Sequence, residues 1–523
     1  MNCKSVFKNY CSSSKLRSIA LFSLILVTLV FKSISTIHGW QLENQNVESI
    51  NIYNSGEFLG INPLFTNGDR NNQILSNLLF RGLVKYDPEK NIYNPDLADF
   101  TISKDATEFS FTLKQEQYWS DSRPITIEDV LYTYKTVIQN SNFQNEFLKA
   151  QFSQLVIEQS RDNQITVKLP SSNSFFISQF THGILPKHIY KNINIEDINK
   201  QIDSNIVSSG NYEVEKIKEK KDLVQINLAS KQTQPNIIFD IGSYDPENSY
   251  NLILDANVQN PVGFAQHNYL TPQYTALFMN LENSYLNNFI HRKAIKDAVN
   301  KRELALKLPG ETIIGKPFFQ FEQIDEIPET SFKIIKENLK SSKSHNSLKA
   351  GDTIKLSVIA LKYESEEQNQ KIRTVLNHLN ENLSKINIEL VAQLYNIEVF
   401  KQILVTKEYD MAIFGHDLGG NLDSYSFWHS SQRFQNGLNI SMYSNILTDN
   451  LLDNLRREQD QNKKISLAKE INKQLSTDNP AIFLFTTKHL YYVDNKIKNR
   501  KILKNYSNQS DILFDINTWE LEK

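Results

Sequence analysis

The chain has 523 residues, with 57 Lys and Arg against 59 Asp and Glu, a net charge of -2. At roughly 150 residues per domain this leaves room for two to four domains with sizeable cores, which excludes a stapled mini-protein. Hydrophobic residues at 40% and charged residues at 22% are ordinary globular values, and the charge balance excludes the basic footprint of a nucleic-acid binder. Gly is only 16 and Pro only 14, so Asn is expected to fill turn positions that need positive φ.

Residues 1–17 carry Lys4, Lys8, Lys15 and Arg17 with no acid, and the apolar run Ile19–Phe31 follows before Lys32. This pattern reads as an export signal, with Ser33 and Ser35 as small residues for cleavage. Residues 18–37 would span a bilayer instead if Lys32 snorkels, leaving residues 1–40 as a signal-anchor helix. In both cases the positive flank stays cytoplasmic and the remainder is delivered outside, to the periplasm or cell surface. Removing five bases with the leader leaves 52 bases against 59 acids, a net charge of -7 on the exported part. Cys3 and Cys11 both precede the apolar run, so the exported part has no disulfide, thiolate nucleophile or Cys metal site.

Beyond a polar linker, β-rich stretches are predicted at Ser49–Tyr53, Phe109–Leu113, Gln164–Leu169 and Leu223–Leu228. A helix is predicted over Ile127–Gln139, opened by a capping box of Thr126 and Asp129, with Val130, Tyr134 and Val137 on one face. The second half is more regular. Strand Thr353–Ala360, helix Glu366–Lys385, strand Ile386–Leu390, helix Glu398–Lys407 and strand Tyr409–Gly415 form a parallel α/β unit. Ligand sites of such units lie beyond the carboxyl ends of the strands, which directs attention to the segment starting at Gly415. Helix Ile465–Leu475 then stops at Asn479-Pro480 and hands over to strand Ala481–Phe485.

Phosphate-loop, dinucleotide, zincin, nucleophile-elbow and calcium-loop signatures are all missing from the sequence. The pairs His182 with His188 and His416 with His429 are the candidates for shared metal ligation, weighed against isolated structural imidazoles. No metal site and no cofactor is assigned, and a secreted hydrolase is the minor enzymatic alternative.

Several ordered segments together carry a resemblance. Ile61-Asn62-Pro63-Leu64, Leu79–Asp87 (LFRGLVKYD), Pro95-Asp96-Leu97-Ala98, Phe109–Lys114 and Trp119–Val130 are followed by Leu185–His188, Ser209–Tyr212 and Ala276–Asn280. Gly415–Ser431 (GHDLGGNLDSYSFWHSS), Asn439–Asn445 and Asp478–Ile482 close the series. Over roughly residues 48–495 the chain resembles the peptide/nickel class of extracellular solute-binding proteins, solute-binding family 5, which includes oligopeptide and dipeptide receptors of ABC importers. Ser122 stands where that class has the Gly of an Asp-Gly turn, and His416 stands where Trp is usual.

The resemblance implies an α/β, bilobal fold of the periplasmic-binding-protein type II kind, with an extra domain inserted in the first lobe. The three domains expected are a discontinuous core of lobe 1 (45–80, 178–275 and 483–520), an inserted domain (81–177) and an α/β lobe 2 (276–482). The implied function is non-enzymatic: the lobes close over a small solute, most readily a short peptide, and the closed monomer is recognised by a membrane permease. Sensing without transport, or binding of a sugar or metal chelate, are the alternatives. In peptide receptors of the class an Asp in the last block binds the ligand's α-amine; the aligned position here is Gly419, with Asp417 and Asp423 on either side. Asp417, Asp423, Tyr425, Phe427 and Trp428 are the candidates for one ligand wall, and Tyr274 and Asn67 for the facing one. Against this, Phe427 and Trp428 fit core packing, Asp423 fits a helix cap, and Tyr274 fits a strand packer.

Overall fold

The computed structural model describes residues 49–522 except 67, 200–205, 233, 255–257, 259–260, 320–330, 341–352, 420–421 and 435–436. The apolar run Ile19–Phe31 lies outside the described residues; among those described, no helix is long and apolar enough to cross a membrane.

A twelve-stranded mixed sheet organises the chain. At one end lie Ile388–Tyr395, Ile354–Leu361, Met411–Asp417 and Gln273–Met279; at the other lie Leu252–Ile253, Ser49–Asn54, Asn236–Gly242, Leu223–Ser230 and Tyr212–Lys220. The 14-residue strand Ala481–Asp494 joins the two ends. Its first residues pair with Gln273–Met279 (Ala481 opposite Phe278), and its last seven pair with Phe264–Leu270 (Asp494 opposite Phe264). Two chain segments therefore cross between the ends of the sheet. Thr271-Pro272 interrupts one of them, as expected of a residue with no N–H to donate to a ladder.

The parallel unit predicted for the second half is present: Ile354–Leu361 pairs in parallel with both Ile388–Tyr395 and Met411–Asp417. The period-2 alternation of side chains sorts its residues between two cores. Leu356, Val358, Leu277 and Met279 enter one cluster with Ile372, Val375 and Leu379 of helix Glu366–Ser384. Ile359, Ala276 and Phe278 enter the other, with Phe400, Trp428 and Ile471. A third, larger cluster spans Ile50 to Tyr269 and Tyr491 to Trp519, and includes the inner face of a four-stranded antiparallel sheet (Ala98–Ile102, Glu108–Leu113, Gln164–Lys168, Val156–Arg161).

The predicted helix after Thr126 begins as expected, with the Thr126 N–H donating to Asp129 Oδ2 at 2.9 Å. It runs as an α-helix only over Ile127–Leu131 and continues as a wider π-helix, Tyr132–Ile138. The Thr133 hydroxyl donates to Asp129 O (2.8 Å) and accepts from Leu185 N–H (2.9 Å), competing for a carbonyl of the ladder where the winding loosens. Ser122 adopts φ +68, so the turn keeps the left-handed geometry that Gly would supply. Asn91, Asn387, Asn479 and Asn499 take the same region, as the Gly-poor composition suggested. Gly210 is required for a different reason: a Cβ there would stand 2.3 Å from Leu78 O.

Candidate functional site

The segment singled out by sequence begins where the Met411–Asp417 strand loses a neighbour. Met411, Ala412 and Ile413 are paired on both edges, but the parallel partnership with Ile354–Leu361 ends at Ala360 opposite Ile413. Phe414–Asp417 keeps only the antiparallel partner Gln273–Met279, so among the described residues its other edge carries unpaired backbone groups. Gly415 and Asp417 are exposed there and His416 is half-buried. The loop that follows is tied to the crossing point, because Leu418 N–H donates to Pro272 O at 2.9 Å.

Asp417 Oδ1 accepts the Gly419 N–H at 2.8 Å and closes a tight turn, with Gly419 at φ +55. Although Asp417 is solvent-accessible, desolvation pushes its carboxyl above the ordinary range. Gly419 lines a cavity of about 600 Å³ whose other walls come from distant stretches, among them Thr66, Asn77, Arg81, His182, Asn211 and Ser510. A Cβ built on Gly419 would meet nothing within 4 Å, so at this position the cavity is open.

Behind this surface the candidate aromatics form a packed layer. The Phe427 ring stacks on His416 at 3.7 Å between centroids, and the Tyr274 hydroxyl lies 3.1 Å from His416 Nδ1. Burial lowers the His416 imidazole to about 3, outweighing the opposing pull of Asp423, so it is neutral at pH 7. Tyr274 sits inside the strand Gln273–Met279, is 2% exposed, and has its phenol pushed up by burial, with the Trp428 indole opposing. Trp428 is fully buried and stacks on Phe278 at 5.6 Å.

The structure thus sets Tyr274 and Phe427 against His416, the residue before Asp417, and buries Tyr274, Phe427 and Trp428 in one apolar cluster, as core packing. Asp423 has its carboxylate taken: Arg456 Nη2 donates to Oδ2 at 2.8 Å and Nε to Oδ1 at 3.0 Å, while the Tyr425 N–H donates to Oδ1 at 3.2 Å. The Arg456 guanidinium also covers the Tyr425 ring at 3.8 Å, and Tyr425 stacks on His429. Asn67 lies outside the described residues; its neighbour Thr66 lines the cavity. Sequence reasoning passed over Arg81, which donates to Asp96 (Nε to Oδ1, 2.7 Å) and Gln117 (2.6 Å) at the cavity wall. The signal for it was present, since Arg81 stands in the LFRGLVKYD segment.

In the candidate metal pairs the ring nitrogens have other neighbours: His416 Nδ1 lies 3.1 Å from the Tyr274 hydroxyl and His429 Nδ1 2.8 Å from Ser431 Oγ. His188 Nε2 is 2.7 Å from Asp121 Oδ2, and His182 Nδ1 faces Pro63 O at 3.3 Å. Among the described residues, the grouping of potential ligand atoms is Glu303, His378 and Glu381. Lys307 pairs with both carboxylates there, and His378 Nε2 donates to Asn300 O.

The sheet is thus shared across two crossing segments, with a cavity lined in part by the loop that follows Met411–Asp417. The family model for bacterial extracellular solute-binding proteins, family 5, matches residues 93–227. A dipeptide-binding protein, DppE of Bacillus subtilis, is 20% identical over 452 residues, 77% of this chain and 80% of its own. A binding protein of Haemophilus influenzae is 23% identical over 399 residues, 69% of this chain and 71% of its own. Solved structures match over nearly the whole molecule. HbpA2 of Haemophilus parasuis gives a TM-score of 0.72 at 15% identity, covering 91% of this chain and 100% of that one. The oligopeptide-binding protein AppA of Bacillus subtilis, solved with a nonapeptide, gives 0.63 at 18% identity, covering 91% and 99%. NikZ of Campylobacter jejuni, solved with Ni(L-His), gives 0.64 at 20% identity with the same coverage. The resemblance to family 5 solute-binding proteins read from the sequence is thereby shown in both sequence and fold.

Proposed function

We propose that the chain is the extracytoplasmic receptor of an ABC importer, capturing a short peptide between two lobes and presenting it to a membrane permease. Lobe 2 comprises residues 276–482 and lobe 1 the remaining exported chain, with the inserted domain at 81–177. The observation that supports the reading is the strand Phe414–Asp417, paired on one edge only among the described residues and followed by a loop tied to Pro272 in a crossing segment. An extended peptide satisfies such an edge by strand addition, and the adjoining cavity of about 600 Å³ is of a size to take a side chain or terminus. Contacts to both lobes would favour the closed form, because a ligand shifts a conformational equilibrium only by its differential affinity. The named cargoes of the relatives, a dipeptide, a nonapeptide and a nickel-histidine chelate, supply the arms of the test. Thermal unfolding is followed with di- to hexapeptide pools, oligosaccharides and Ni(L-His). A ligand at 100 times its Kd stabilises by about 2.7 kcal/mol. A shift with peptides alone supports the reading; a shift with the chelate or a sugar alone, or none with any peptide pool, overturns it.

A further inference from the structure

Away from the crossing strands, a second set of contacts joins the lobes. The 3-10 helix Ser174–Thr181 follows the four-stranded sheet, and its Phe176, Ile177 and Phe180 pack in the core shared with that sheet. Phe175 turns the other way, into the cluster that holds Trp428 and Ile471. Ser174 Oγ donates to Glu458 O at 2.6 Å, and Gln459 Nε2 donates to Ser103 O at 2.8 Å. Lys464 Nζ stands 4.4 Å over the Phe175 ring. Each of these pairs joins a residue before 182 to one after 457, so none belongs to a single lobe. Two residues upstream of Glu458, Arg456 holds Asp423 of the loop that borders the cleft, so the docked segment and that loop are tied together.

Resting on the closure reading, we infer that Phe175 is a positioning residue that sets ligand affinity from outside the cleft, seated on residues 458–464 when the lobes are closed and withdrawn when they open. Opening exposes a phenyl ring that is 6% exposed in this state and breaks the two hydrogen bonds beside it. The corner thereby sets the population of the closed form, and apparent affinity scales with that population. Lys464 adds to the seat: burial lowers its ammonium to about 8, which leaves it mostly protonated at pH 7 and able to face the ring as a cation.

The test uses the ligand-free full chain with Cys3 and Cys11 replaced by serine and spin labels on Glu158→Cys and Glu470→Cys, both exposed and on opposite lobes. Pulsed electron–electron resonance reads the distance between the lobes. Phe175→Ala is expected to enrich the long-distance population about tenfold, Ser174→Ala with Gln459→Ala to do so by a smaller factor, and Phe175→Leu to restore most of the short distance. A folded Phe175→Ala with a lower Tm and an unchanged distance distribution overturns the inference, because the contact is then permanent packing. If Phe175→Ala does not fold, the double variant is read in its place, and an unchanged distribution there overturns it equally. Pro272→Gly at the crossing separates the two readings. A distance that responds to Pro272→Gly but not to the Phe175 variants removes only this inference, whereas one that responds to neither removes lobe closure as well.

Discussion

Asp423 shows how one residue's role depends on a partner 33 positions away. A carboxylate beside aromatic residues in the last family-like block has the chemistry for a cationic ligand, but in the fold it receives a forked pair of hydrogen bonds from Arg456, and both side chains are 20% exposed. Removing one member of such a pair leaves the other charge half-buried over Tyr425. Asp423→Ala is therefore expected to cost about 2 kcal/mol of stability, read as a lowered urea midpoint, and an unchanged midpoint would contradict the pairing. Neither Arg456 nor its stacking on Tyr425 was legible in sequence, because the pairing is created by helix Ile446–Arg457 returning to the loop. His416 supplies a prediction of opposite origin. Its folded-state pKa of about 3 lies below the ordinary value of 6.5, so below pH 6.5 the unfolded chain binds the proton more readily. The contribution of the buried neutral ring is complete above pH 6.5 and is lost as pH falls toward 3. Asp417 works in the other sense: its raised pKa favours the folded state on protonation and withdraws that contribution as pH rises through its folded value. Urea midpoints between pH 7 and 4 should fall more steeply for wild type than for His416→Gln; parallel curves would show that the imidazole is not desolvated.

At the scale of elements, legibility followed periodicity. The strand–helix–strand–helix–strand unit of the second half was readable because Ile372, Val375, Leu376, Leu379 and Leu383 mark a helix face and the flanking strands alternate or run apolar. The strand at Ala481 was predicted to end at Phe485, yet it continues to Asp494. Thr486, Thr487, Lys488 and His489 break the apolar run, and what keeps them extended is long-range pairing with Glu311–Ile313 and Phe264–Leu270. Tertiary partners overrode local pattern there. The turn at Asp121-Ser122 gives a quantitative test. Ser122 is exposed with φ +68, a region costing a residue with a Cβ about 1–2 kcal/mol, and Gly gives back part of that gain through its freer unfolded state. Ser122→Gly is expected to raise stability by about 0.5 kcal/mol, seen as an increase in Tm, and a fall in Tm would contradict the left-handed turn.

For the whole molecule, the legible part was the order of the family-like segments, and the structure explains why they lie so far apart in sequence. Pro63, Phe80, Arg81, Asp96, Gly210 and Gly419 come from segments spread over more than 350 positions and line one cavity. Their spacing carries no local periodicity, so only the folded sheet reveals what they share. The edge of Phe414–Asp417 that is unpaired among the described residues turns this geometry into a chemical test of the proposed function. A strand added to an edge exchanges hydrogen bonds through alternate residues, the intervening N–H groups pointing away from the sheet. Methylating the backbone nitrogen of a bound tetrapeptide at successive positions should therefore give an alternating pattern. Where the nitrogen faced the strand, the loss of one hydrogen bond of about 1 kcal/mol and the added bulk should weaken binding by roughly tenfold. Where it faced away, affinity should change little. Calorimetric titration of the methylated series against the parent peptide reads the pattern directly. A uniform response along the peptide would show that the ligand is held by its side chains or termini, with the edge at Gly415 left to solvent.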